Sequence, residues 1–259
     1  MTAGIVTYGI YNANRIKHVS YEIQLKNVVL NDINIVMISD SHLGAINNFE
    51  KNLERIVQDI NDMNPDIVCI VGDIFNDDFN LIRNPDRAIS LFRSINATYG
   101  VFAVLGNHDG GRTLSQMKEF LEASNITLLN DEHVIIDGRL ALFGRLDANP
   151  IGGFGTLERQ DITDTIVSVG ADMPVIVMDH NPIHIKTYGN EVDLILAGHT
   201  HRGQMFPGNL ITRAIFVADY GHYQKDENSP HAIVTSGVST WGPPMRVGTN
   251  NEIVNVVLR

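Results

Sequence analysis

The chain has 259 residues, 44% hydrophobic and 19% charged, and its 30 acidic against 19 basic side chains give a formal net charge of −11. That much apolar material builds one large buried core and excludes a disordered chain, while the acidic balance, with no lysine and arginine cluster, argues against a nucleic-acid partner. The single cysteine, Cys69, rules out an intrachain disulfide.

Residues 2–16 are mildly apolar, include Tyr8, Gly9 and Tyr11, and lack a capped start. They look like the remainder of a longer N-terminus, with residues 1–20 a membrane-proximal piece of it. Val19 to Leu25 alternates, the pattern of a half-exposed strand. Ile33 to Ile38 is a buried strand that runs into Ser39-Asp40-Ser41-His42. Phe49 to Met63 places Leu53, Ile56, Val57 and Ile60 on one helical stripe, stopped by Asn64-Pro65. Asp66 to Val71 is a second buried strand, with Cys69 an inert core thiol, and it ends in Gly72-Asp73-Ile74-Phe75-Asn76-Asp77. Pro85 to Ile95 predicts a helix with Ala88, Ile89 and Phe92 inward. Val101 to Leu105 is a third strand ending in Gly106-Asn107-His108-Asp109, and Leu114 to Ala123 a third helix. Strand, polar motif and helix thus recur, the rhythm of a mostly parallel sheet.

Val134 to Phe143 predicts a hairpin turning on Asp137-Gly138. Thr156 to Val169 predicts a helix with Ile162, Ile166 and Val169 on one face. Val175 to Met178 is a strand ending in Asp179-His180-Asn181-Pro182, and Val192 to Ala197 another ending in Gly198-His199-Thr200-His201. Ala214 to Ala218, Ala232 to Thr235 and Ile253 to Leu258 look like strands of a second sheet. No Pro/Ser-rich linker divides the chain, so residues 1–259 are expected to form a single domain.

Five strand ends therefore carry polar motifs: Asp40/His42, Asp73, Asn107/His108, His180 and His199/His201. Each alone has an ordinary explanation. Asp73 after a glycine suits a helix cap or an Asx-turn, Asn107 a left-handed turn, and His180 a structural role. An α/β architecture gathers C-terminal strand ends on one rim, however, and five such clusters meeting there point to a single site. Gly72, Gly106 and Gly198 permit the tight exits these turns need. His18, His133, His222 and His231 follow no such pattern, and His184 is ambiguous. The seven donors Asp40, His42, Asp73, Asn107, His180, His199 and His201 are too many for one tetrahedral ion; they suit two ions sharing a carboxylate. Mixed Asp, Asn and His donors accept Mn, Fe or Zn alike.

In that order, Asp-x-His, Gly-Asp, Gly-Asn-His-Asp, His and Gly-His-x-His resemble the motif blocks of the calcineurin-like metallophosphoesterase family, over Ile33 to His201. The resemblance implies an α/β fold, a two-sheet αββα sandwich of the metallophosphoesterase type. It also implies one ion on Asp40, His42, Asp73 and His201, a second on Asp73, Asn107, His180 and His199, and Asp73 as the bridge. His108 would be catalytic, facing the substrate phosphoryl group, with Asp109 holding it. The second block, Gly72-Asp73-Ile74-Phe75-Asn76-Asp77, departs from the usual Gly-Asp-x-x-Asp and leaves Asn76 and Asp77 as alternatives for a supporting role. The tail Trp241-Gly242-Pro243-Pro244-Met245-Arg246 resembles a bacterial branch often tethered by an N-terminal membrane segment.

The expected function is a binuclear metal-dependent phosphoesterase, above all a phosphodiesterase, that attacks phosphorus with a metal-bridging hydroxide. A non-catalytic metal-binding scaffold on the same fold is the alternative, although a scaffold has no use for His108. A metal-dependent amidohydrolase would need His-x-His after the first strand and a bridging lysine, and neither is present. The expected substrate is a phosphoester small molecule or a phospholipid-type compound. As written, the sequence has no window of membrane-span length, so the chain reads as soluble and cytoplasmic, or as envelope-associated in a longer form. Oligomeric state leaves no trace in it. Arg145, Arg202 and Arg246 are the cations near the motifs, suited either to phosphate contact or to surface ion pairs. Trp241 suits either a pocket wall or a cap on the second sheet.

Overall fold

The computed structural model describes residues 2–25 and 32–259. The chain opens with a helix, α1 (Thr2–Ala13), and a half-exposed strand, β1 (Ile16–Ile23). Three buried strands follow, each trailed by a helix: β2 (Ile33–Ile38), α2 (Phe49–Asp62), β3 (Ile67–Val71), α3 (Pro85–Arg93), β4 (Val101–Val104) and α4 (Leu114–Ala123). Just beyond α2, Asn64 has left-handed geometry (φ 49°) ahead of Pro65. Pro85 occupies the first turn of α3, where its missing N–H costs nothing, and the Asn84 side chain caps that turn by accepting from the Arg87 N–H. Next come β5 (Ile126–Leu128), β6 (Glu132–Ile136) and β7 (Leu140–Gly144). Asp137 and Gly138 both have positive φ, the geometry that matches a two-residue hairpin turn to strand twist. The chain closes with α5 (Thr163–Gly170), β8 (Val175–Met178), β9 (Leu194–Ala197), α6 (Gly208–Ile215), β10 (Gly221–Tyr223), β11 (His231–Val234) and β12 (Asn251–Leu258).

The strands form two six-stranded sheets, ordered β1-β12-β2-β3-β4-β5 and β10-β11-β9-β8-β7-β6. Strands β2 to β5 are parallel, and so are β7, β8, β9 and β11. Side-chain alternation settles the layering. Ile35, Met37, Cys69 and Val104 face inward and pack with Leu142, Ile176, Met178 and Leu196 of the other sheet. Val36, Ile38, Val68 and Ile70 face outward onto α2, α3 and α4. Phe143, Val177 and Ile195 face outward on the second sheet, with Ile166 of α5 among them. Both faces of the central strands are covered, which is why they are continuously apolar. The result is the expected αββα sandwich.

Three expectations fail locally. Residues 156–162 are not helical, because tertiary bonds hold them open. The Gln160 N–H donates to Asp131, and Arg159 reaches Asp179 and the Leu146 carbonyl. Ala214 and Ile215 end α6 rather than begin a strand; a short apolar run does not distinguish the two. Strand β12 belongs to the first sheet, parallel to β1 and antiparallel to β2, and it sends Val254, Val256 and Leu258 into the core between the sheets. Residues 2–13, given no element from sequence, form α1. Asn12 anchors it by donating to the Arg246 and Thr249 carbonyls.

Candidate metal centre

The five motif-bearing strand ends leave the two sheets at one shared rim. Backbone bonds staple them there: Asp40 N–H to the Gly72 carbonyl (3.1 Å), His42 N–H to Asp73 (3.0 Å) and Gly198 N–H to His180 (2.9 Å). The Ser39 hydroxyl adds a bond to the Val71 carbonyl (2.6 Å). Asp40, His42, Asp73, His199 and His201 all sit in the left-handed region, with φ between 44° and 71°. Such residues cost about 1 kcal/mol or more each, and they persist where the surrounding structure over-determines them. Gly106 has no room for a side chain: a Cβ would strike the Asp73 N–H and carboxylate.

All seven side chains singled out from sequence lie around this rim, in two groups. Asp40, His42 and His201 form one, Asp73, His180 and His199 the other, and within each group the donor atoms lie within 4.8 Å of one another. Asn107 joins the second, its Oδ1 lying 2.8 Å from His199 Nδ1. The Asp73 carboxylate faces both groups, with Oδ2 3.2 Å from His180 Nε2 and 3.8 Å from His42 Nε2. Its other oxygen accepts the His108 N–H at 2.8 Å.

Two features fit a cation. His180 donates Nδ1–H to the Val71 carbonyl (2.8 Å), which aims the buried Nε2 at the Asp73 carboxylate, 3.2 Å away, with no hydrogen bond formed there. That position calls for positive charge, which a proton on Nε2 supplies and a bound cation would replace. His42 Nε2 and His201 Nε2 face each other at 3.1 Å, again two imidazole nitrogens converging on one point.

Electrostatics agree. Burial, with His180 nearby, lowers His199 to about 4; burial, with His108 beside it, lowers His42 to about 4. Burial, together with His42 and Arg246, holds His201 well below its usual range. These three imidazoles are bare donors at neutral pH. Burial would lower His180 too, but the carboxylates of Asp73, Asp40 and Asp147 outweigh it and hold its pKa well above the ordinary value. Asp40 is pushed up to about 6 by burial and by the Asp73 charge, although His180 opposes them.

The expected partner of His108 is corrected. Asp109 does not hold the ring; its carboxylate accepts the Phe75 and Gly106 N–H groups, both at 2.7 Å. His108 Nδ1 instead meets the Asp77 carboxylate at 2.8 Å, which settles the choice between Asn76 and Asp77. His108 lines a cavity of about 400 Å³ with Asp73, His199, Met205, Trp241 and Pro243. The Trp241 ring lies 6.0 Å from His108, so it walls the pocket rather than capping a sheet.

Two residues near the rim, Asp147 and Asn251, escaped the sequence, and a third, Arg246, was misplaced by it. Asp147, just past the end of β7, is buried with a carboxylate oxygen lacking a hydrogen-bond partner. It follows the same strand-then-acid pattern as the other motifs, and that pattern was its available signal. Arg246 is fully buried rather than paired at the surface: it donates to the carbonyls of His201, Ser236 and Ser239 and to Asn251. Asn251 gave no signal. Arg145 pairs with Asp131 at 2.8 Å, and Arg202 lies over the Tyr220 ring at 4.0 Å. The other histidines are ordinary contacts; His18 meets Asp59 and His133 stacks on Phe143.

Fold, rim and donor pattern meet in one class of protein, the metal-dependent phosphoesterases. The chain belongs to the calcineurin-like phosphoesterase family, whose model matches residues 33–203. It is 30% identical over 246 residues to an uncharacterised metallophosphoesterase of Campylobacter jejuni, covering 93% of this chain and 62% of that protein. It is 31% identical to one from Aquifex aeolicus, covering 88% and 85%. A Danio rerio relative named as a transmembrane protein with a metallophosphoesterase domain is 29% identical, across 100% of this chain and 61% of that protein. The chain thus spans about three fifths of the length of several relatives. Among solved structures it is similar to a dimetal phosphatase from Danio rerio, with TM-score 0.53, 14% identity, and coverage of 82% and 89% of the two chains. A putative 5'-nucleotidase from Staphylococcus aureus gives TM-score 0.57 at 12% identity, covering 86% of this chain and 54% of that one. At such identities the structural likeness speaks for the fold alone.

Proposed function

We propose that the chain is the catalytic domain of a binuclear metal-dependent phosphoesterase acting on a phosphodiester. The observation that carries this reading is the pair of donor clusters facing one Asp73 carboxylate beside a cavity that His108 lines. Asp40, His42, Asp73 and His201 would hold one ion and Asp73, Asn107, His180 and His199 the other, with Asp73 shared. Bound cations of the Mn, Fe or Zn kind supply Lewis acidity and hydroxide at neutral pH.

Residues of the chain do the rest. Asp73, fixed by the His108 N–H, keeps both clusters in register. Asp77 holds the His108 Nδ1 proton, which leaves Nε2 for the substrate. There His108 donates to a phosphoryl oxygen and protonates the departing alkoxide. The cavity wall of Met205, Trp241 and Pro243 is apolar, and among the described residues no arginine or lysine lines it. This supports a monoanionic diester with an apolar substituent over a dianionic monoester, which favours arginine forks. A phospholipid-type substituent fits the same wall. Ligands from both sheets in one site support reading residues 1–259 as one domain. The relatives named as transmembrane proteins support a membrane or envelope location for a longer protein.

Turnover of an aryl phosphodiester, an aryl phosphomonoester and a pyrophosphate with added Mn²⁺ tests the proposal. Diester hydrolysis outpacing the others and stopping with chelator is the expected result. Faster monoester hydrolysis overturns the diester assignment, and chelator-resistant hydrolysis overturns the metal.

A further inference from the structure

Three stretches, residues 2–21, 194–218 and 228–251, contain no aspartate or glutamate, in a chain with 30 of them and a net charge of −11. These stretches include the two helices with the most exposed apolar side chains. On α1, Ile5, Val6, Tyr8, Ile10 and Tyr11 are exposed, and among its residues of described burial only Gly9, Asn12 and Ala13 are buried. On α6, Leu210, Ile211 and Ile215 are exposed, the last two at 61% each. The polar Thr212 of α6 turns in, its hydroxyl donating to the buried Asp219 carboxylate.

The two helices belong to one connected surface. The α1 backbone at Gly9 packs on Met245 and Val247, and its carbonyl accepts the Arg246 N–H. The Val247 carbonyl accepts the Phe206 N–H, and Phe206 is 65% exposed two residues before α6. Gln204 donates to the Trp241 carbonyl, and Trp241 is 53% exposed. Met205, Trp241 and Pro243 are cavity-wall residues, so this surface runs into the mouth of the metal centre. Its exposed charges are positive: Arg15, Lys17 and Arg213.

We propose that α1, α6, Phe206 and Trp241 form one docking surface for an anionic lipid bilayer, with the cavity mouth opening onto it. Two observations select this occupant. An exposed amphipathic helix beside tyrosine and tryptophan rings suits the boundary between headgroups and acyl chains. Lysine and arginine without carboxylates complement anionic headgroups, whereas a second copy meeting this one through the same acid-free surface would set Arg15, Lys17 and Arg213 against their own like charges. The docking stands apart from the hydrolase reading, since it is measured without turnover.

Trp241 is the only tryptophan, so its emission reports burial of this surface directly. The purified chain is mixed with vesicles of phosphatidylcholine and phosphatidylglycerol, or of phosphatidylcholine alone, and followed by co-sedimentation and Trp241 emission. Tighter binding to the anionic vesicles, with a blue shift, is expected. The exposed triple variant Leu210→Ser/Ile211→Ser/Ile215→Ser is expected to bind about tenfold more weakly or worse. Its hydrolysis of a soluble ester should equal that of the parent. Failure of the parent to sediment, or equal binding by the triple variant, overturns the proposal. A concentration-dependent dimer that shifts Trp241 emission without vesicles also overturns it and makes a second copy the occupant.

Discussion

His108 and Asp77 meet across two loops, each on a different strand end, and in the proposed mechanism this contact orients the proton donor. Replacing His108 with Ala should keep both ions and lower kcat by about 10²–10⁴, the scale of a lost general acid. Asp77→Asn should lower kcat by about 10–100-fold with metal content unchanged, as expected for a residue that orients another. Steady-state kinetics with elemental analysis checks both; metal loss in either variant would recast the residue as structural. A third prediction concerns protons displaced on metal loading. At pH 7 His42, His199 and His201 are already bare, whereas His180, its pKa raised, still carries a proton that an ion must displace. Raising the pH removes this competitor, so metal affinity should rise above pH 7, with about one proton released per chain at pH 7. Titration calorimetry in buffers of different ionisation enthalpy measures it, and no release, or affinity falling as pH rises, contradicts it. The seven donors were visible in sequence because each follows an apolar strand. The Asp109 assignment failed because sequence adjacency says nothing of direction: in this tight turn the Asp109 carboxylate folds back onto Gly106 and Phe75. Arg246 was misplaced because only tertiary packing buries it.

At the scale of elements, α1 and the 245–251 loop act as one unit. Arg246 carries their contact inward, donating to the buried Ser236 and Ser239 carbonyls and to that of His201, which also accepts the Gln204 N–H. Burial lowers its pKa to about 10, so it remains charged at neutral pH. Arg246→Gln should destabilise the fold by about 3 kcal/mol, since at least two buried carbonyls lose partners worth about 1–3 kcal/mol each. Denaturant unfolding measures this, and a loss below 1 kcal/mol would mean water replaces the guanidinium. Strands and helices with strict periodicity were legible to within a few residues, as β2 and α4 show. Residues 156–162 and α6 were not. Long-range bonds to Asp131 and Asp179 override local preference in the first, and the exposed apolar residues of α6 imitate a strand.

Across the whole molecule, the two sheets separate the ligands and the rim reunites them. Asp40, His42, Asp73 and Asn107 leave the first sheet, His180, His199 and His201 the second, so ions bound by both sets would cross-link the halves of the sandwich. Ions that bind only the folded chain raise its stability by mass action. The α/β character could be inferred from the strand–helix rhythm, and the two-sheet sandwich from the family resemblance that the motif order carries. The sheet that takes β12 could not, since a final strand can return to either sheet. The most direct test is a crystal of the Mn²⁺-loaded protein measured at the manganese absorption edge. Two anomalous peaks about 3.5–4 Å apart, one against Asp40, His42 and His201, the other against Asn107, His180 and His199, with Asp73 touching both, are predicted. A single peak, no peak, or ions bound away from this rim would contradict the account.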